Sequence, residues 1–141
     1  MKFYTCLILA LSSLAFGQAR AQMYSLTSED FFIYFDSDSY EITSKQQKLL
    51  TDKIVSIGGT HIKEIYVEGH TDTFATNEYN TVLATNRALA TVKVLERIGV
   101  PRRFIKMESF GESKSVSEVH QQNRRAKVFF IYETDYKAVG L

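Results

Sequence analysis

Gly69-His70-Thr71-Asp72 is followed by Arg87, fifteen residues beyond Asp72, and by Asn123-Arg124-Arg125 near the end of the chain. The spacing places a carboxylate at a turn and a guanidinium on the helix after it. Held a short distance apart, the two grip a zwitterion: Asp takes an ammonium, and Arg takes a carboxylate in a bidentate fork. The expected ligand carries an amino-acid-like group. Each residue also has a plain alternative. Arg87 inside an apolar helix stripe can snorkel, Asp72 can serve a turn, and the two can form an ordinary internal ion pair.

The elements that must hold this pair follow from hydrophobic period and punctuation. Phe31-Phe32-Ile33-Tyr34-Phe35 reads as a buried strand, broken by Asp36-Ser37-Asp38-Ser39. Thr43 with Gln46 resembles a capping box, opening a helix whose Leu50, Ile54 and Ile57 form one stripe and which Gly58-Gly59 closes. Ile65 and Val67 alternate with Tyr66 and Glu68, a second strand running into Gly69. Thr76 or Asn77 caps the next helix, expected over 78–98. Leu83, Ala90, Val94 and Ile98 form its first stripe, with Arg87 set into it. Val82, Leu89, Val92 and Leu95 form a second, so burial over much of its circumference is expected. Strands over 105–110 and 127–132, with an irregular or short helical stretch over 115–124, complete the order β-α-β-α-β-(short α)-β. That order predicts an α+β sandwich, two main helices on one face of a mixed sheet.

The first residues read as an export signal. Met1-Lys2 is a positive start, Phe3 to Phe16 an apolar run, and Ala19-Arg20-Ala21 a small-x-small cleavage site. The run falls short of the roughly 20 apolar residues of a spanning helix. Cys6 lies at the start of that run, away from a lipid-attachment position. Cleavage after Ala21 removes Lys2 and Arg20 from the 17 basic side chains and none of the 16 acidic ones, leaving a net charge of −1. A near-neutral domain lacks the basic field of nucleic-acid binding, and without cysteine it holds no disulfide. The expected domains are a signal over 1–21, a short segment over 22–30, a binding domain over 31–133 and a tail over 134–141.

Several stretches carry a family resemblance. They are Tyr34 to Ile42, Val67 to Asp72, Asn80 to Ala88, Gly99-Val100-Pro101, Phe110-Gly111-Glu112 and Gln122 to Ala126. In order and spacing the chain resembles the OmpA-like C-terminal domain, the peptidoglycan-associating module of outer-membrane porins, peptidoglycan-associated lipoproteins and flagellar stator proteins. The resemblance implies noncovalent binding of peptidoglycan through the meso-diaminopimelate of its stem peptide, anchoring an envelope component at the cell wall. Asp72 would take the ammonium and Arg87 the carboxylate. Asn80 would add a supporting hydrogen bond, Thr71 would line the site, and Asp36 would lie on the neighbouring first loop. Arg125 would face the ligand or the wall, while Arg124 would serve a structural ion pair. No cofactor is implied, and the location would be periplasmic or outer-membrane-associated in a Gram-negative bacterium. The chain departs from the pattern at Phe74-Ala75-Thr76, Leu83-Ala84 and Lys114-Ser115-Val116. Phe74 would reshape the rim of the pocket or give it a stacking surface. Without a recognisable barrel, spanning helix or lipobox, the chain reads as a bare module tethered by an outer-membrane or envelope protein partner.

Two other function classes remain. A metal-assisted hydrolase would use His70-x-Asp72 with His61 and His120, but two ligands at a strand end fall short of the usual three. His70 is expected to orient its loop by hydrogen bonding, with His61 and His120 solvated. An acid-base pair of Glu68 and Asp72 needs the strand to continue past Gly69. An adaptor for an envelope, secretion or motor complex would use Tyr24, Phe31, Phe32 and Tyr34, or residues 134–141.

Overall fold

The computed structural model describes residues 24–58 and 61–135. The export signal, Gly59 and residues 136–141 lie outside them. The first strand, β1, spans Tyr24–Tyr34, eleven residues rather than the five read from the aromatic run. Its first half alternates half-buried and exposed side chains, a pattern too polar to stand out without its partner. From Tyr24 on, the segment expected to precede the domain is therefore already part of the sheet.

Helix α1 (Ser44–Ile57) starts where the capping box puts it. Gln46 N donates to Thr43 Oγ1, and the Gln46 side chain accepts from Thr43 N at 2.9 Å. It ends at Gly58, whose φ of 73° suits glycine. β2 (Ile62–His70) leads to α2 (Asn77–Arg97), capped by Thr76 Oγ1. A 3-10 turn at Arg102–Phe104 precedes β3 (Ile105–Gly111). The short helix α3 (His120–Asn123) introduces β4 (Arg125–Asp135).

The strand order is β1-β4-β2-β3. β4 pairs antiparallel with β1 and β2, whereas β2 and β3 are parallel. A parallel neighbour needs a crossover, and α2 supplies it. Ile33, Ile65, Val67, Ala126, Val128 and Phe130 point from the sheet into one core with Leu50, Ile54, Ala88, Val92 and Leu95. The expected α+β arrangement, two helices on one face of a mixed sheet, is the one observed. The second stripe of α2 is the exception: Val92 and Leu95 are buried, but Val82 is 60% and Leu89 39% exposed. Only one flank of α2 meets the sheet, so apolar residues beyond that flank stay in water.

One glycine sets how closely α2 approaches. A Cβ on Gly69 would lie 1.9 Å from the Ala84 carbonyl oxygen and 3.2 Å from the Ala88 Cβ. Both alanines are fully buried. We therefore expect Gly69→Ala to push α2 off β2 and destabilise the fold by about 1–3 kcal/mol, the usual range for overpacking. Equilibrium urea unfolding measures this; a variant of unchanged stability would show that the helix yields without cost.

Candidate functional site

The site is assembled where the C-terminal end of β2, the β1–α1 loop and α2 meet. Arg87 lies in the middle of α2 and is 0% exposed. Its guanidinium is spent on backbone carbonyls: Nε donates to Ser39 O at 2.8 Å, one terminal nitrogen to His70 O at 2.9 Å, and the other to Asp36 O at 3.1 Å. It also lies 5.2 Å from the centre of the Phe35 ring. The snorkelling alternative thus fails, since the charged head is the buried end. Burial pushes its pKa down to about 10, opposed by the attraction of Asp72, so it remains a cation at neutral pH. Five N–H donors less three leaves two for another acceptor.

Asp72 sits just past β2 and is 7% exposed. Oδ1 accepts from Phe74 N at 3.5 Å, closing the turn, and Oδ2 accepts from Arg124 at 3.2 Å. Its ion-pair partner is therefore Arg124, not Arg87. Among the described residues no carboxylate pairs with Arg87. Thr71 is 1% exposed, and its hydroxyl has no hydrogen-bond partner among the described residues.

The remaining expected residues divide. Asp36 reaches the cluster through its carbonyl, while its side chain is exposed. The Asn80 amide nitrogen is occupied by Ala75 O and by Glu112 Oε2 at 2.7 Å, so it ties α2 to the segment after β3. Arg125 is not brought to this cluster. Ala126, Val128 and Phe130 point into the core, so period-two alternation sends Arg124 to the helix side and Arg125 to the opposite face. Arg124 is the terminal arginine beside Asp72, and the core-facing residues after it carried that information in the sequence. Asn123 fastens its own loop, accepting from Val116 N and donating to Ser117 O. Phe74 is 72% exposed and lies against His120, ring centres 3.9 Å apart, on the rim.

His70 departs from expectation. Its carbonyl, not its ring, orients the loop by accepting from Arg87. The ring lies on the other face of the sheet, stacked on Phe110 at 5.5 Å, with neither nitrogen hydrogen-bonded. Nε2 is 3.4 Å from Glu68 Oε2, outside hydrogen-bond geometry. Glu68 and Asp72 share no face. Among the described residues no group of three or more His, Cys, Asp or Glu side chains is placed to hold a metal ion.

The OmpA family profile matches residues 34–128. The chain belongs to the OmpA family. It is 35% identical over 95 residues to a peptidoglycan-associated lipoprotein of Buchnera aphidicola, covering 67% of this chain and 55% of that protein. It is 37% identical over 99 residues to one from Agrobacterium fabrum, covering 67% and 56%. The match thus spans little more than half the length of these relatives. Among solved structures, the peptidoglycan-associated lipoprotein of Burkholderia pseudomallei is 30% identical with a TM-score of 0.59, covering 73% of this chain and 89% of that one. The OmpA-like domain of FopA1 from Francisella tularensis reaches a TM-score of 0.69 at 18% identity, covering 82% and 83%, and shares the fold.

His70 gives this OmpA-family domain a pH signature. Burial first, then the Arg125, Lys114 and Lys127 cations, push its pKa from 6.5 down to about 4. Above pH 6.5 neither folded nor unfolded chain protonates it. Between pH 6.5 and 4 the unfolded chain takes the proton and the folded one does not, so stability falls as pH drops and levels off below. The loss is on the order of 3 kcal/mol. Unfolding free energies measured across this window should fall more steeply for wild type than for His70→Phe; parallel curves would refute the assignment.

Proposed function

We propose that this domain binds peptidoglycan noncovalently, gripping the meso-diaminopimelate side chain of the stem peptide, and so holds an envelope component at the cell wall. The observation that carries the reading is Arg87, a fully buried guanidinium that pairs with no carboxylate among the described residues, beside a carboxylate that does not neutralise it. A ligand carboxylate takes the two remaining Arg87 donors, and the ligand ammonium goes to Asp72. Thr71, next to Asp72 in the chain and with its buried hydroxyl unpartnered among the described residues, would line the same place. Peptidoglycan-associated lipoproteins among the relatives support the ligand class, and with it an exported, periplasmic or outer-membrane-associated location.

We read the site as binding without chemistry, its charged groups matching fixed charges on a ligand. Access to Arg87 runs through the β1–α1 loop, because the Asp36 and Ser39 carbonyls sit on the guanidinium. The loop is itself held by a hydrogen bond from the Tyr79 hydroxyl to Asp38. For a ligand carboxylate to reach the two remaining donors of this fully buried group, the loop shifts as it enters.

Co-sedimentation with purified sacculi tests the site. Asp72→Asn keeps the shape and one acceptor, enough for Phe74 N or for Arg124 but not for both, and loses the charge that meets the ammonium, so its folding is checked alongside its binding. Truncating a buried charge partner costs about 2–5 kcal/mol, so binding should weaken roughly thirtyfold or more. Arg87→Ala should abolish binding, but it also strips three backbone carbonyls of their donor and costs roughly 3 kcal/mol or more of stability. Arg87→Lys, which keeps the charge without the fork, is the cleaner second variant, with folding checked by thermal melting. Asp72→Asn pelleting like wild type would overturn the assignment.

A further inference from the structure

The opposite face of the sheet carries a second buried guanidinium. Neither α1 nor α2 covers this face, and the alternation that buries Val67 and Val128 turns Glu68, His70, Arg125 and Lys127 towards it. A cleft of about 470 Å³ opens there across the ends of β1, β4 and β2, walled at one end by the β3–β4 connection. That is the size of a small-molecule site. Arg125 lines it and is only 4% exposed.

Its electrostatics are incomplete. Arg125 donates to the carbonyls of Gln122 and Lys114, each at 3.3 Å, and its buried Nε has no partner among the described residues. Among those residues, no carboxylate forms an ion pair with it, in contrast to Arg124 with Asp72. Burial works against its charge, with Tyr34 and Glu68 only partly offsetting. His70 lines the same cleft with both ring nitrogens buried and unpartnered, and a neutral imidazole has one N–H to donate. Lys114, 3.3 Å from the centre of the Phe110 ring, and Lys127, paired with Asp30 at 3.1 Å, add two cations. Glu68 is the one acid in the lining. Phe32 and Tyr34, stacked 6.3 Å apart and each more than two-fifths exposed, supply a flat apolar wall.

We propose that this cleft is a second ligand site, taking a small oxyanion carried on a sugar-sized ring, with Arg125 as its anchor. The oxyanion accepts from Arg125 Nε and the His70 N–H, Lys114 and Lys127 neutralise it from the rim, and the ring lies along Phe32 and Tyr34. Buried donors left unpaired cost stability, and a ligand oxygen is the partner the cleft withholds from them. The sheet separates this site from the Asp72–Arg87 cluster, the two sharing only His70, whose ring faces the cleft and whose carbonyl accepts from Arg87.

The test is titration of the isotope-labelled protein at low salt with glucuronate and with glucose 6-phosphate, followed by the NMR signals of the Arg125 Nε–H and the His70 ring. Methyl glucoside is the uncharged control and inorganic phosphate the ring-free one. Saturable shifts with either sugar acid, tighter than with either control, are expected; the stronger of the two identifies the oxyanion. Arg125→Lys, which keeps the charge but loses the Nε donor, should weaken binding about tenfold. The exposed Lys114→Gln, which leaves the buried guanidinium in place, should weaken it several-fold. Asp72→Asn should leave it unchanged, so failure here and failure at the wall-binding site are read separately. Absent or unsaturable shifts, equal binding of methyl glucoside, phosphate binding as tightly as the sugar acids, or affinity unaffected by both Arg125→Lys and Lys114→Gln would overturn the proposal.

Discussion

Arg87 holds three pieces of chain together through one side chain. Its guanidinium joins the β1–α1 loop, through Asp36 and Ser39, to the end of β2, through His70, from a seat on α2. A buried backbone carbonyl needs a donor, and the loop, being neither helix nor strand, has few of its own. One planar side chain with donors in a rigid fork meets that need at three carbonyls at once, which a lysine does not. The same arrangement keeps a cation in a dry place without a carboxylate pairing with it. The loop is thereby held by the same residue to which the proposed binding assigns the ligand carboxylate.

Around this contact the scaffold leaves little slack. The parallel pairing of β2 with β3 requires α2 as crossover, and Gly69 lets the helix backbone come within reach of the strand. The ladder shifts register between Gly69 and His70, where β3 carries the extra residue Phe110, and β2 ends at His70, so Thr71 and Asp72 lie outside the strand's alternation. Thr71 N then donates to Gly111 O at 2.8 Å, fixing the end of β2 against the end of β3. Asp72 is held by its own turn, through Phe74 N, and by Arg124, which fixes where its carboxylate is presented.

The entry into β4 sends adjacent arginines to opposite sides of the sheet. Arg124 is drawn into the Asp72 cluster, and Arg125 faces the cleft with His70, Lys114 and Lys127. Two buried guanidiniums, Arg87 and Arg125, therefore sit on different faces, each without a carboxylate partner among the described residues. Only the first is enclosed by a loop; the second lines an open cleft beside exposed aromatic rings.

Much of this was legible in the chain itself. Local chemistry determined the Thr43–Gln46 cap, the Thr76 cap, the stop at Gly58 and the apolar stripes, because each depends on residues within a turn or two. The ordered stretches from Tyr34 to Ala126 carried the family, and with it Asp72 and Arg87. Tertiary structure decided the rest. The extent of β1 depends on its β4 partner, and the exposure of Val82 and Leu89 depends on which flank of α2 meets the sheet. Whether Asp72 pairs with Arg87 or Arg124, and whether His70 works through its ring or its carbonyl, depends on three-dimensional neighbours far apart in sequence. A charge names what it attracts; only the packing around it decides which partner it reaches.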